Sequence, residues 1–135
     1  MQRYMLDTNT ASYVIKGTFP TIRRKLLEVP ISSVCISVIT QAELLFGVLK
    51  KPGATKLKVA VGELLRLVDI LPWDEGAAES YARLRYQLER DGTPLGSMDM
   101  LIAAHAIAAE ALLVTSDRAF FQAKPIRNLI DWSAD

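Results

Sequence analysis

Short apolar runs alternating with amphipathic stretches restrict the fold of this chain more than any other feature. Tyr4-Met5-Leu6, Val34-Cys35-Ile36 with Val38, residues 68–71 and Leu112-Leu113-Val114 are each too short for a helix and are bounded by polar or turn-forming residues. Between them the apolar residues recur at helical spacing. Thr8, Asn9 and Thr10 supply capping chemistry for a helix over residues 11–16. After Gly17 and Pro20, the residues Ile22, Leu26, Leu27 and Val29 mark the buried side of a second helix, which Pro30 stops. Residues 40–46 form a helix that Ser37 or Thr40 caps, and residues 56–67 form another. Ala77, Ala78, Tyr81, Leu84, Arg85 and Leu88 define a long helix ending near Asp91 and Gly92. Ser97 is the expected N-cap of an apolar helix over residues 98–110, and Ile126, with Leu129 and Ile130, supplies a last short strand before Trp132.

Parallel strands require crossover helices, and those helices cover both faces of a sheet. The alternation therefore predicts the α/β class, a sandwich around a mainly parallel central sheet. With 135 residues the chain fits a single domain over 1–135 and one active site. Sixteen basic against fifteen acidic residues leave a net charge of +1, so polyanion contact has to come from local patches. Arg23-Arg24-Lys25, then Lys50, Lys51, Lys56 and Lys58, and then Arg83, Arg85 and Arg90 are such patches, although each also reads as an ordinary solvated helix face. No apolar run approaches the ~20 residues that span a bilayer, and the first residues lack a secretory signal, so a cytoplasmic location is expected. Cys35 is the only cysteine, which leaves no internal disulfide or cysteine-rich zinc site.

Sites in such folds lie beyond the carboxyl ends of the strands. Asp7 directly follows the first strand, Asp117 follows the fourth, and Glu43 lies in the helix after the second. Asp99 opens the helix that precedes the fourth strand, so only tertiary packing can bring it to the same edge. Each has an ordinary explanation: Asp7 and Asp117 as caps, Glu43 as a solubilising surface residue, Asp99 as an acid favoured in a first helical turn. Gathered together, they would repel one another unless protons or a cation compensated. Oxygen-only ligands suit Mg²⁺ or Mn²⁺ better than zinc, and such an ion activates water for attack at phosphorus. Phosphatase and phosphate-relay folds remain open on spacing alone, but Asn9 stands where a phosphotransfer phosphatase needs a second acid, and a receiver domain's paired acids and late lysine are missing.

Met5-Leu6-Asp7-Thr8-Asn9, Ile39-Thr40-Gln41-Ala42-Glu43-Leu44, Gly92-Thr93-Pro94-Leu95-Gly96-Ser97-Met98-Asp99, the run Leu101-Ile102-Ala103-Ala104-His105-Ala106, and Val114-Thr115-Ser116-Asp117 resemble the PIN-domain family, specifically its VapC-type toxins. The resemblance covers nearly the whole chain in order. It implies a PIN-like α/β/α sandwich with a roughly five-stranded sheet, and Mg²⁺- or Mn²⁺-dependent RNA cleavage that stops translation, with transfer RNA or ribosomal RNA as the substrate. It further implies Asp7, Glu43, Asp99 and Asp117 as catalytic metal ligands, with Thr8, Asn9 and Ser116 in support, a homodimer, and silencing by a VapB-type antitoxin. One departure is that Ala119 and Phe120 stand where many PIN domains carry a further acid, which reduces the ligands for a second ion. The competing reading is a PIN-like module that binds RNA or protein without cutting. A nuclease for DNA flaps is disfavoured by the lack of a strand-threading extension. His105, Cys35, Phe46, Trp73, Phe120 and Phe121 are expected to be mainly packing residues, with an aromatic near the acids able to stack on a base.

Overall fold

Each short apolar run becomes a strand whose alternate side chains enter different layers. The computed structural model describes residues 1–134. Its strands are β1 (Arg3–Leu6), β2 (Val34–Ser37), β3 (Asp69–Leu71), β4 (Ala111–Val114) and β5 (Leu129–Ile130). All pair in parallel, in the order β3-β2-β1-β4-β5. The helices are α1 (Thr8–Lys16), α2 (Pro20–Glu28), α3 (Val38–Leu49), α4 (Thr55–Leu67), α5 (Glu75–Asp91), α6 (Ser97–Ala108) and α7 (Arg118–Gln122).

Period-two alternation divides the core. Leu6, Val34, Ile36 and Val114 pack with Ala11, Val14, Ile22, Leu44, Val61 and Leu64, so α1 to α4 cover one face. Met5, Cys35 and Leu113 point the other way, against Leu84, Leu88, Ile102, Ala103 and Phe120 of α5, α6 and α7. The expected α/β/α sandwich is thereby observed, with all five strands parallel.

Four expectations need correction. Val38 opens α3 instead of ending β2, because Ser37 Oγ accepts from Ile39 N at 3.1 Å and starts the helix there. Ser97 is the first residue of α6 and not its cap: the N-cap is Gly96, which has no side chain and whose carbonyl accepts from Met100 N at 2.9 Å. Leu27 is 83% exposed and Phe46 60%, so helical spacing alone misassigned both to the interior. Ile126 is buried but precedes β5.

Chain connections from β1 run outward to β2 and β3, then cross to β4 on the other side of β1. The crevice between β1 and β4 is thus the topological switch point, where such sheets bind ligands. Asp7 N donates to Val114 O at 3.1 Å, which draws the ends of these two strands together.

Candidate active site

At the carboxyl end of β1 the chain must leave extended geometry and enter α1, and Asp7 makes that turn. Its Oδ1 accepts from Thr10 N at 2.8 Å, capping the helix. Thr10 Oγ1 donates to Val114 O at 3.0 Å and so ties α1 to β4. Asp7 is only 3% exposed. Burial raises its pKa and Asp117 raises it further, while Thr115 and Thr10 oppose both through hydrogen bonds. Thr115, fully buried, also accepts from Asp117 N at 3.1 Å through its hydroxyl, so one side chain touches both acids.

Asp117 begins α7 in the same way, its Oδ1 accepting from Ala119 N at 2.9 Å. The ordinary explanation for both residues is therefore true, and it coexists with their confrontation. A capping carboxylate commits one oxygen to a helix N–H, and its remaining lone pairs serve other partners.

Glu43 lies on the second turn of α3, half-buried, where Thr8 Oγ1 donates to its Oε1 at 2.5 Å. Thr8 Oγ1 also stands 3.2 Å from the buried Thr40 Oγ1, so α1 and α3 hold Glu43 between them. Asn9 is exposed at the rim.

Asp99 arrives from the other layer. Because α6 feeds β4 from the strand's amino end, it runs back across the sheet and its first turn comes to the carboxyl edge. Burial pushes the Asp99 carboxyl up to about 6, and the negative charges of Asp117, Asp7 and Glu43 add to that push. The other three acids therefore lie close enough for their charges to be felt at Asp99, around an acidic basin at the carboxyl edge of the sheet. Gly96 accommodates it: a Cβ there would lie 3.3 Å from Asp99 Oδ2.

Among the described residues no three His, Cys, Asp or Glu side chains are drawn together closely enough to enclose an ion. The basin is open, not a finished cage. That openness leaves room for the waters and substrate phosphate that Mg²⁺ keeps among its ligands, with the carboxylates acting directly or through those waters. The donor chemistry fits as well, since no nitrogen or sulfur ligand competes. Cys35 is buried in β2 with its thiol pushed up to about 11 by burial. His105 is also buried, its Nδ1 2.7 Å from Ser37 Oγ, its imidazole held neutral by burial although Asp74 and the Pro72 carbonyl favour the charged form. It is a structural residue, as expected.

Sequence reasoning missed the roles of Thr115, Thr10 and Thr40. Hydroxyls carry no pattern of their own, although Thr115 stands at a strand end where the switch-point rule directs attention. Ser116 is placed beside the basin but donates away from it, to Asp131 Oδ1 at 3.0 Å.

Comparison with known proteins gives concordant results. The family model described as the PIN domain matches residues 4–125. A tRNA(fMet)-specific endonuclease VapC of Salmonella typhimurium is 33% identical over 132 residues, covering 98% of this chain and 99% of the relative. Ribonuclease VapC2 of Rickettsia felis is 34% identical, covering 96% and 97%. A crystal structure of DNA-bound VapBC from Salmonella typhimurium superposes with a TM-score of 0.88 at 33% identity, covering 98% of this chain and 99% of that one.

Proposed function

The chain belongs to the PIN-domain family, and from that premise we propose that it is an endoribonuclease toxin of the VapC type, acting as one domain over residues 1–135. The observation that carries the reading is the acidic basin at the switch point, where Asp99 is held near a pKa of 6 by burial and by Asp117, Asp7 and Glu43. Asp7, Glu43, Asp99 and Asp117 would hold Mg²⁺ or Mn²⁺, which when bound activates water and neutralises charge on the phosphodiester. Thr8 aims Glu43, Thr115 and Thr10 aim Asp7, and Asn9 at the rim meets substrate. Burial of Asp7 and partial burial of Asp99 lower the local dielectric, which strengthens each of these interactions. Transfer RNA is the first substrate class to test, because the relative from Salmonella typhimurium is named for it.

The partner is a VapB-type antitoxin, in keeping with solved relatives that are VapBC complexes. Exposed Leu27, Leu45, Phe46, Leu49, Val59 and Leu67 on α2, α3 and α4 supply apolar surface for that partner and for a second copy of the chain. No helix among the described residues is long and apolar enough to cross a membrane. The cytoplasm, where RNA and antitoxin are found, is the proposed location.

The test is Asp7→Asn. The amide oxygen still accepts from Thr10 N, so the fold should survive by circular dichroism while Mn²⁺-dependent RNA cleavage falls at least about a hundredfold. Cleavage at the wild-type rate would overturn the assignment. The open basin and the lack of an acid at Ala119 and Phe120 favour the second reading, a binding module that does not cut; calorimetry showing no saturable Mn²⁺ binding, with or without RNA, would select it.

A further inference from the structure

The segment beyond β5 carries a carboxylate that none of these roles uses. Asp131 is the first residue after β5, at the same sheet edge that bears Asp7 and Asp117. Its Oδ1 accepts from Ser116 Oγ at 3.0 Å, from Ser133 N at 2.9 Å and from Ser133 Oγ at 2.6 Å. Its Oδ2 accepts from Arg118 Nη2 at 3.0 Å. Ser116 and Arg118 are the two chain neighbours of Asp117, so one carboxylate grips the chain on both sides of that acid.

The grip is itself anchored. Thr115 N donates to Ile130 O at 3.0 Å, which sets β5 beside the Asp117 turn. Trp132 is buried, its ring centroid 5.3 Å from that of Tyr4, and Ser133 O accepts from Thr21 Oγ1 at 2.9 Å. Burial alone would raise the Asp131 pKa, but Ser133, Ser116 and Arg118 hold it below the usual carboxylate range, so the acceptor is ionised and its bonds are of the stronger, charge-assisted kind. Asp117 needs such support, because α7 has only five residues and one capping bond does little to fix its direction. With both oxygens engaged, Asp131 is not a replacement for the acid missing at Ala119 and Phe120.

We propose that Asp131 is a positioning residue, which sets the direction in which Asp117 faces Asp7 and Asp99 by holding Ser116 and Arg118. The Oδ1 bonds carry the effect: Arg118 is 65% exposed, and an exposed ion pair contributes about 0–1 kcal/mol. The activity readout rests on the nuclease reading, whereas the metal readout does not.

The experiment compares the full chain with Asp131→Ala and Asp131→Asn, measuring Mn²⁺ affinity by calorimetry, kcat and KM on an RNA oligonucleotide, and Tm. Residues that orient metal ligands from behind typically change affinity or activity by about 10–100-fold. Asp131→Ala should weaken Mn²⁺ binding and lower kcat by about tenfold each, with KM within about twofold. Asp131→Asn keeps an acceptor for Ser116 and Ser133 and should stay within about threefold of wild type on both measures. Thr21→Ala, which loosens only the anchor on α2, should lower Tm and leave Mn²⁺ affinity unchanged. Wild-type Mn²⁺ affinity and kcat in Asp131→Ala, or an equal loss in Asp131→Asn, would overturn the proposal. If Asp131→Ala does not fold, Ser116→Ala removes the hydroxyl through which Asp131 holds the residue before Asp117 and carries the same expectation. A wild-type chain that binds Mn²⁺ but cuts no RNA removes the nuclease reading and leaves calorimetry to decide this one; a chain that binds no Mn²⁺ removes both.

Discussion

Asp99 bears the greatest electrostatic burden in the basin, since burial and three neighbouring carboxylates all act against its charge. Its pKa of about 6 against an ordinary 3.8 has a definite sign. Between those values the folded chain binds more protons than the unfolded one, so the stability linked to Asp99 is lost as pH rises through 6. Asp99→Asn removes that loss. In chelator, the variant should gain on wild type by on the order of 1 kcal/mol from about pH 4 to pH 7, the full shift being discounted for partial exposure. Urea denaturation at several pH values measures the difference, and a gap that narrows with rising pH would contradict the placement of Asp99. Gly96→Ala probes the same carboxylate sterically. Its Cβ would stand 3.3 Å from Asp99 Oδ2, so the carboxylate must shift by a few tenths of an ångström. Misplacements of about 1 Å can cost about a hundredfold in rate, and a smaller one should lower kcat severalfold with little change in Tm.

Two elements fix where the acids meet. The first junction joins α6 to β2 and α3 through His105, whose Nδ1 lies 2.7 Å from Ser37 Oγ. The same Ser37 hydroxyl caps α3, the helix that carries Glu43, while α6 carries Asp99. His105→Ala leaves a cavity and the buried Ser37 hydroxyl without its partner, and should cost about 2–4 kcal/mol in denaturant unfolding. Wild-type stability would show that the junction bears no load. Burial depresses the His105 pKa, so its contribution runs opposite to that of Asp99: it is present above the ordinary 6.5 and lost as pH falls. The pH test at Asp99 is therefore read as a difference between variants. The second element is α7, too short to persist alone, which is pinned by the fully buried Phe120. Phe120→Ala should cost about 3–5 kcal/mol.

At the scale of the molecule, most of the architecture is legible in sequence because strands buried on both faces read as short apolar runs, and five of them need helical crossovers on two sides. Periodicity was less informative about surfaces. Leu27 and Phe46 occupy apolar positions of well-spaced helices, yet no segment of the described chain covers them, and a face meant for a partner has the same spacing as one meant for the core. The rule that sites lie beyond strand ends points to Asp7, Asp117 and Glu43; Asp99 was a candidate whose helix precedes its strand, so only tertiary packing could bring it to that edge, and the family resemblance supplied its role as a ligand. The same rule applied to β5 points directly at Asp131, whose strand of two residues offers little pattern to read. Thr115 was hidden for a different reason, because its hydroxyl acquires its meaning only from Asp7 and Asp117 on either side.

Calorimetric titration of the apo chain with Mn²⁺ near pH 6, repeated in buffers of different ionisation enthalpy, interrogates the basin without recourse to any RNA. The four carboxylates predict saturable binding with release of roughly half a proton or more, chiefly from Asp99, and loss of that binding in Asp7→Asn. Heats that match dilution alone, or binding that survives Asp7→Asn with no proton released, would contradict the account.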